Sequence, residues 1–170
     1  SNRLALEAAA RRAGELGFEA HIITDALQGD YSVVTDFILH TIEEAPYQNL
    51  AKPLCLLFGG EPTLQVSGTG LGGRNQHLAL RLATHIDSAR EITILCAGTD
   101  GTDGPTDAAG AVVDSRTLPD ARKKQVDAFD HLSRFDSYHF FLQAGGHIIT
   151  GNTRTNVMDM VVVLLPVPGP

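Results

Sequence analysis

The stretch ITILCAGTDGTDGPTD, residues 92–107, joins an apolar, strand-like run to a loop with three carboxylates, three glycines and a proline. Glycine allows tight turns in which the backbone approaches a ligand closely. In open α/β sheets, binding sites lie in loops that leave the carboxyl ends of strands. The stretch therefore predicts a ligand-binding loop, with Asp100, Asp103 and Asp107 as candidates for metal or hydroxyl chemistry. The alternative is a surface loop whose Asp and Thr side chains cap its own backbone amides.

Helix-like and strand-like segments alternate on both sides of this stretch. Asn2 and Asp30 are good amino-terminal caps for the first two helices. The second helix carries an apolar face of Val33, Val34, Phe37, Ile38 and Ile42. Helices are predicted at residues 4–16, from residue 30 to the Pro46 turn, and at 75–86, 119–129 and 137–144, and strands at 18–24, 54–58, 63–67, 92–97, 111–113, 147–150 and 159–165. This order predicts an α/β, layered fold with a mixed β-sheet flanked by helices.

The composition excludes two classes of partner. The chain has 170 residues, a net charge of −7 and 43% hydrophobic residues, without an extended run of Lys or Arg. Nucleic acids and anionic membranes attract concentrated positive charge, so we expect no nucleic acid and no membrane partner. Cys55 and Cys96 lie inside apolar runs, which is typical of buried thiols in a reducing compartment. With no signal peptide, membrane-spanning stretch or initiator Met, we expect a cytoplasmic, truncated chain.

A glycine-rich segment, GTGLGG at residues 68–73, lies between a predicted strand and a predicted helix, and we call it the glycine loop. Gly68, Gly70 and Gly73 satisfy the dinucleotide pattern G-x-G-x-x-G, and Asp87 lies near the distance of a ribose-binding acid. An NAD-dependent oxidoreductase is therefore one hypothesis. The following letters RNQ put a guanidinium and two amides at the helix amino end, which suits a terminal phosphoryl group better. A purely structural glycine-rich turn is the third interpretation.

Two further polar loops complete a set of four. GGEPT at residues 59–63 and TGNTRTN at residues 150–156 each follow or precede an apolar strand. If the sheet brings the four loops to one edge, five polar residues converge: Glu61, Arg74, Asp100, Asp103 and Asn156. For Glu61 and Asn156, turn capping is an equally good interpretation.

Other polar residues favour structural roles. His77 and His147 are more often structural or exposed than catalytic, and Ser137 is expected to cap a helix because no base is identifiable beside it. The chain lacks the P-loop, calcium-loop and HExxH zinc patterns. The Asp and Thr spacing of residues 98–107, which we call the acidic loop, is compatible with one Mg²⁺ bound by one or two carboxylates, water and substrate phosphates.

Five ordered strings together closely resemble the MOFRL domain, the carboxyl-terminal domain of the glycerate 2-kinases, a family whose members are also called hydroxypyruvate reductases. The strings are GGEPT, GTGLGGRNQ, AGTDGTDGPTDAAGAVVD, SYHFFLQAGG and TGNTRTNVMD. Residues 54–166 resemble this domain, and residues 1–50 resemble the tail of the family's larger amino-terminal α/β domain, with a boundary at residues 49–53. The resemblance implies transfer of phosphate from ATP to the 2-hydroxyl of D-glycerate in a cleft between the two domains.

Expected residue roles combine this resemblance with the loop chemistry. The expected catalytic residues are Arg74, Asp100 and Asp103. Either carboxylate of the acidic loop is expected to bind Mg²⁺. ATP is expected to contact Gly68, Gly70, Gly72, Gly73 and Asn75. Substrate contacts are expected from Glu61, Thr102 and Asn156. Expected partners are D-glycerate, ATP, the amino-terminal domain of the same enzyme and, as an open alternative, a second copy of the chain.

The sequence departs from the family at several positions. His77 stands where the family usually has Glu, and Asn152 and Arg154 replace an expected Pro and Gly. The amino-terminal domain, to which the family assigns a needed lysine, is not among these residues. Two alternatives to the kinase therefore stay open: an NAD(P)H-dependent hydroxypyruvate reductase and a non-catalytic ligand-binding module.

Overall fold

A computed structural model describes residues 1–45 and 51–167 and shows a mixed sheet flanked by helices, which confirms the predicted fold class. The strands are β1 Glu19–Leu27, β2 Leu54–Gly60, β3 Thr93–Gly98, β4 Gly110–Asp114, β5 His147–Ile148 and β6 Asp159–Leu165. The helices are α1 Asn2–Glu15, α2 Tyr31–Glu44, α3 Arg74–Ala83, α4 Thr117–Lys123, α5 Ala128–Ser133 and α6 Ser137–Ala144. The sheet order is β1-β2-β6-β3-β4-β5, in which only the β1–β2 pair is parallel.

Each face of the sheet carries a hydrophobic core. Leu56 and Phe58 of β2 belong to the larger core, which α2 and α3 cover, and Cys55 and Leu57 belong to the smaller one, which Leu6 of α1 covers. All seven residues of β2 are buried. A strand covered on both faces is apolar along its whole length, which explains why this segment lacks polar alternation.

Both cysteines are buried free thiols, as their apolar surroundings predict. Burial raises the pKa of the Cys55 thiol to about 11. Among the described residues, no helix has the length and apolar character that crossing a bilayer requires.

Helix α2 confirms one predicted cap and corrects the predicted apolar face. The Asp30 carboxylate accepts a hydrogen bond from the backbone N–H of Ser32 at 3.0 Å. Val34, Ile38 and Ile42 are buried, but two residues predicted on the same face are open: Val33 is 61% exposed and Phe37 is 41% exposed. The buried stripe is narrower than the apolar pattern because α2 meets the sheet along one side only.

The predicted cap of the first helix is wrong. Helix α1 begins at Asn2 itself, and the side chain of this residue is buried rather than turned to the helix end. Its Nδ2 donates to the backbone oxygens of Val157 at 2.7 Å and Asp159 at 3.1 Å. A tertiary contact more than 150 positions away along the chain has therefore replaced the local cap.

Two predicted elements differ from the structure. Residues 63–67 form no strand, and only Thr63 makes an isolated bridge, to Asp30. The helix predicted at residues 119–129 is broken into α4 and α5. Gln125 takes a left-handed conformation with φ 59°, and the Asp127 carboxylate accepts hydrogen bonds from the N–H groups of Phe129 and Asp130. An aspartate cap within the segment starts a second helix there.

Residues 46–50, which include most of the polar connection after α2, lie outside the described part of the chain. The predicted boundary at residues 49–53 stays a prediction. Across this connection, β1 and β2 are neighbours in the same sheet.

Candidate active site

The sheet brings three strand ends together at one edge. Gly60, the last residue of β2, and Gly98, the last residue of β3, both pair with Asp159, the first residue of the antiparallel β6. The loops that leave β2 and β3 therefore begin beside Asp159. These loops carry Glu61 and Asp100, and this register is the reason that residues distant in sequence meet.

A cleft of about 710 Å³ opens at this edge. Nine of the eleven predicted site residues line it: Glu61, Gly72, Gly73, Arg74, Asn75, Asp100, Thr102, Asp103 and Asn156. Gly68 and Gly70 are not among its lining residues. Asp159 lines the cleft as well, although the site prediction did not include it.

Arg74, the first residue of α3, lies between two carboxylates in the cleft. Its Nε and Nη2 donate to the two oxygens of Asp159 at 2.6 and 3.1 Å, and its Nη1 lies 3.0 Å from Oε1 of Glu61. The hydrogen bond from Arg74 to Asp159 raises the pKa of the guanidinium. Burial raises the pKa of the Asp159 carboxyl, and the bonds from Arg74 act in the opposite direction.

Asp103 has a capping geometry that the metal prediction did not anticipate. It is 3% exposed. Its Oδ1 accepts from the backbone N–H of Asn75 at 2.9 Å and from the Asn75 side chain at 3.2 Å. Its Oδ2 accepts from the backbone N–H and the side chain of Gln76 at 2.8 and 3.0 Å. Both oxygens are thus committed to the amino end of α3, where negative charge is favoured.

A hydrogen-bonded chain continues from this cap into the protein. Because Gln76 Nε2 donates to Asp103, its Oε1 is the acceptor for Nε2 of His147 at 3.0 Å, which assigns the proton to that ring nitrogen. The ring of His147 also packs on that of Tyr138, whose hydroxyl donates to Asp107 at 2.9 Å. His147 is therefore structural, and Asp107, a candidate for metal or hydroxyl chemistry in the sequence, has a side-chain contact with Tyr138 of α6.

The glycine loop packs against protein groups. A Cβ at Gly68 would lie 2.3 Å from the backbone oxygen of Arg134, and one at Gly70 would lie 2.4 Å from Cβ of Asp136. A Cβ at Gly73 would lie 2.3 Å from Cγ of Asp103. Close approach between chain segments explains these glycines without a ligand. For Gly68 and Gly70 this packing is the role that the structure shows, and their contact with ATP stays a prediction.

The predicted cap at Ser137 is wrong, and the residue before α6 is Asp136, whose side chain makes no capping hydrogen bond to the helix. Asp136 is buried, and its Oδ1 accepts from the backbone N–H of Leu71 and contacts Nδ1 of His139, at 2.8 and 2.7 Å. Ser137 is the first residue of α6 rather than its cap, and its buried Oγ has no partner among the described residues. A Cβ on Gly72 would lie 2.3 Å from this Oγ. The hydrogen bond from Leu71 to Asp136 connects the glycine loop to the start of α6.

Asp100 is the carboxylate of the acidic loop that remains open to the cleft. It is half-buried, and its Oδ1 accepts from the backbone N–H of Thr102 at 3.0 Å. Its backbone oxygen accepts from the N–H of Thr153 at 3.1 Å, which links the acidic loop to the polar loop before β6. Asn156 in that polar loop accepts from the N–H of Met158 at 3.2 Å, so it has a turn-capping bond while its residue lines the cleft.

His77 is buried in α3 beside the site. Its ring stacks on Phe135 with centroids 4.8 Å apart and meets Tyr31 edge-on at 4.7 Å. Its Nδ1 has no partner within the described part of the chain. Burial lowers the pKa of His77 to about 4. The neutral ring is therefore a packing element, in agreement with the structural interpretation from the sequence.

Sequence reasoning missed Asp159 as a site residue. The residue closes the string TGNTRTNVMD, so a signal was present, but its place at the start of an apolar strand suggested only a boundary. Among the described residues, no group of three or more His, Cys, Asp or Glu side chains is arranged to hold a metal ion.

The mixed sheet with a polar cleft at the ends of three strands defines an α/β domain with a site at its sheet edge. Residues 54–159 match the MOFRL family, and the chain belongs to that family.

Named relatives agree with this assignment. The D-glycerate 2-kinase of Thermotoga maritima is 41% identical over 155 residues, which cover 90% of this chain and 37% of that protein. The glycerate 2-kinase of Pyrococcus horikoshii is 40% identical over 168 residues, covering 97% and 38%. The crystal structure of a Thermotoga maritima glycerate kinase superposes with a TM-score of 0.87 at 40% identity, over 94% of this chain and 39% of that one. The chain thus spans under two fifths of the length of these relatives.

Proposed function

We propose that this chain is the carboxyl-terminal portion of a glycerate 2-kinase that transfers the terminal phosphoryl group of ATP to the 2-hydroxyl of D-glycerate. The names of the relatives support the activity, and their greater length is compatible with a further domain. We assign that domain to the amino-terminal side of a shared cleft from the family resemblance. The observation that carries the proposal is that the cleft of this chain contains both an arginine held at a helix amino end and an open carboxylate, Arg74 and Asp100.

The chemistry assigned to these side chains is positioning and charge neutralisation. Phosphoryl transfer spreads negative charge over the transferring oxygens, and a guanidinium in a partly buried cleft neutralises it effectively. Arg74 would hold the phosphoryl group or the glycerate carboxylate, and Asp100 would orient the attacking hydroxyl and accept its proton. Thr102 and Asn156 line the same cleft and can offer hydroxyl and amide groups to the substrate.

The residues present fit a magnesium ion through one carboxylate. Mg²⁺ in kinase sites is held by one or two carboxylates together with water and substrate phosphates. Asp100 has one oxygen, Oδ2, outside the hydrogen bond to Thr102, whereas both oxygens of Asp103 bind the amino end of α3. When bound, the ion would neutralise charge on the phosphoryl oxygens. Because only Oδ2 of Asp100 is available, we assign to Asp100 either the metal role or the hydroxyl role, and to Asp103 the support of α3.

The structural features that the reductase alternative requires for dinucleotide binding are not found around the glycine loop. A dinucleotide fingerprint requires a strand before the glycines and a helix amino end open to the pyrophosphate. Here residues 63–67 form no strand, and the carboxylate of Asp103 binds the N–H groups of Asn75 and Gln76. The non-catalytic binding module stays a second candidate, because only a part of the relatives' length is represented.

The test is an assay of the full-length protein with D-glycerate and ATP, followed by phosphorus NMR to distinguish 2-phosphoglycerate from 3-phosphoglycerate. We expect ATP-dependent formation of the 2-phosphate and no oxidation of NADH or NADPH with hydroxypyruvate. The 170-residue chain alone should have negligible kinase activity, because phosphoryl transfer requires both substrates to be held in register. Hydride transfer without phosphorylation would favour the reductase, and binding without turnover would favour the module. A cytoplasmic location remains part of the proposal.

A further inference from the structure

The two carboxylate partners of Arg74 differ in burial and geometry. Asp159 receives two hydrogen bonds from the Nε and Nη2 edge of the guanidinium, and its side chain is 5% exposed. Glu61 has a single contact with Nη1, and its side chain is 56% exposed. A bidentate, buried pair is much stronger than a single exposed one. The guanidinium is thus anchored along one edge and loosely paired along the other.

The anchor is itself held by the fold. Asp159 begins β6 between the ends of β2 and β3. The side chain of Asn2 donates to the backbone oxygens of Val157 and Asp159, so the start of α1 braces this strand start. A Cβ at Gly59 would lie within van der Waals overlap of the Asn2 side chain, which shows how tightly the brace fits. Asp159 and Asn2 therefore restrict where the guanidinium can point.

The outer edge of the guanidinium remains suited to a ligand. A guanidinium has five N–H donors. Asp159 accepts from two of them, and Glu61 forms an ion pair with Nη1 at 3.0 Å. A carboxylate or phosphoryl group presents two oxygens that match the outer Nη1 and Nη2 pair. Such a group would occupy the place at which the exposed Glu61 now meets Nη1.

We infer that Glu61 is a displaceable counter-ion, which neutralises the outer edge of Arg74 until an anionic ligand group replaces it, while Asp159 is the positioning residue that keeps Arg74 in place. The chemistry recognised is a pair of anionic oxygens, supplied by either a carboxylate or a phosphoryl group. The inference rests on the proposed function for the identity of that ligand. It differs from the sequence expectation that Glu61 contacts the substrate directly.

The two carboxylates should consequently have opposite effects on anion binding. Removal of the Glu61 charge eliminates a competitor for Arg74 and a source of repulsion, so affinity should rise. Removal of the Asp159 charge releases the anchored edge and leaves the guanidinium free to turn away, so affinity should fall. If Glu61 and Asp159 only stabilised the fold, their substitution would not change the anion affinity in opposite directions.

The experiment is calorimetric titration of the full-length protein with two separate probes, inorganic phosphate and D-glycerate. Glu61→Gln should lower the Kd of one probe by about threefold, the scale of an exposed ion pair. Asp159→Asn should raise it at least about tenfold, and Asp159→Glu, which restores the charge, should recover part of the loss. Glu15→Gln is the matched control, since Glu15 pairs with Arg12 on the exposed side of α1 at 2.9 Å and should leave Kd unchanged.

The probe that responds identifies which group Arg74 binds. Unchanged or weaker binding in Glu61→Gln would overturn the inference, as would the absence of any binding of either probe to the wild-type protein. If Asp159→Asn does not fold, the Glu61→Gln arm decides alone, because that side chain is exposed. In turnover assays, Glu61→Gln should lower KM with little change in kcat. A wild-type protein that binds a probe but does not phosphorylate glycerate would refute the proposed function, while the order of the Kd values would still decide this inference.

Discussion

The glycine loop and the acidic loop have similar sequences, yet the fold uses them differently. The glycine loop is packed against residues 134–137 and Asp103 so closely that added Cβ atoms would overlap them. The acidic loop contributes Asp100 and Thr102 to the cleft. Glycines indicate that something approaches the backbone closely. The approaching group can therefore be a protein segment as readily as a ligand.

The same division occurs within the acidic loop. Asp100 is half-buried and has an oxygen available at the cleft, whereas three residues later Asp103 is buried with four N–H donors around it. One carboxylate therefore has room for chemistry and the other supports a helix.

Gly73→Ala should destabilise the protein by about 3 kcal/mol, because overpacking against a rigid backbone cannot relax. The new Cβ would lie 2.3 Å from Cγ and 2.4 Å from the carbonyl carbon of Asp103. Chemical denaturation measures the effect. Gly14→Ala is the matched control, because a Cβ there meets nothing within 4 Å and should be neutral or stabilising. Equal stability of the two variants would mean that the glycine loop is not packed as described.

Asp100→Asn in the full-length protein should reduce turnover about 100-fold, equivalent to roughly 2.7 kcal/mol of transition-state stabilisation. The substitution keeps the size of the side chain and its bond to Thr102 but removes the charge proposed to serve the hydroxyl or Mg²⁺. The melting temperature should stay close to that of the wild type, since the residue is half-buried in a loop. Wild-type turnover would exclude Asp100 from the reaction.

Asp103→Asn should mainly reduce stability rather than turnover. We expect the free energy of unfolding to fall by about 2 kcal/mol, because a buried charged acceptor is replaced by a group that partly mismatches its donors. The amide that replaces one oxygen would oppose an N–H group of Asn75 or Gln76 at the start of α3. Denaturation and turnover should be measured together in the full-length protein. A loss of turnover with unchanged stability would restore the original expectation that both carboxylates act alike.

The ring of His77 is buried and stacks against Phe135 behind the glycine loop. We therefore expect the free energy of unfolding to change by about 1–2 kcal/mol with pH. Its pKa of about 4 lies below the unfolded value of about 6.5, so the unfolded state binds the proton more readily. Stability should therefore decrease as pH falls from about 6.5 towards 4. His77→Gln should show a shallower decrease between pH 7 and 5 in denaturation experiments. An identical slope would show that the ring does not titrate in this way.

Arg74→Lys should cost about tenfold in kcat/KM, or about 1.4 kcal/mol, because an ammonium cannot bind Asp159 along one edge and a ligand along the other. Steady-state kinetics of the full-length protein measures this change. Arg81→Lys, about two turns further along α3, is a suitable control because it retains charge in the last turn of the helix. Unaltered kinetics in Arg74→Lys would remove the guanidinium from the site.

Much of the fold could be predicted because apolar periodicity follows the sheet. The predicted strand at 159–165 has the bounds of β6, and β2, β3 and β4 lie within two residues of their predicted positions. The failures have local causes. Asp127 caps a second helix inside a predicted single one, and Asn2 forms a tertiary contact in place of a cap. Propensity alone cannot decide either case, because the same residue types are compatible with the predicted and the observed structure.

For the site, residue type alone indicates which residues are chemically capable. The clustering of Asp, Arg and Gly between apolar runs identified nine residues that line one cleft. The different roles of these residues depend on tertiary contacts. The antiparallel insertion of β6 between β2 and β3 placed Asp159 beside Arg74, and the turn of the acidic loop placed Asp103 on α3 while Asp100 stayed open. Residue type limits which bonds a side chain can make, but which partners are present depends on contacts between segments far apart in the chain.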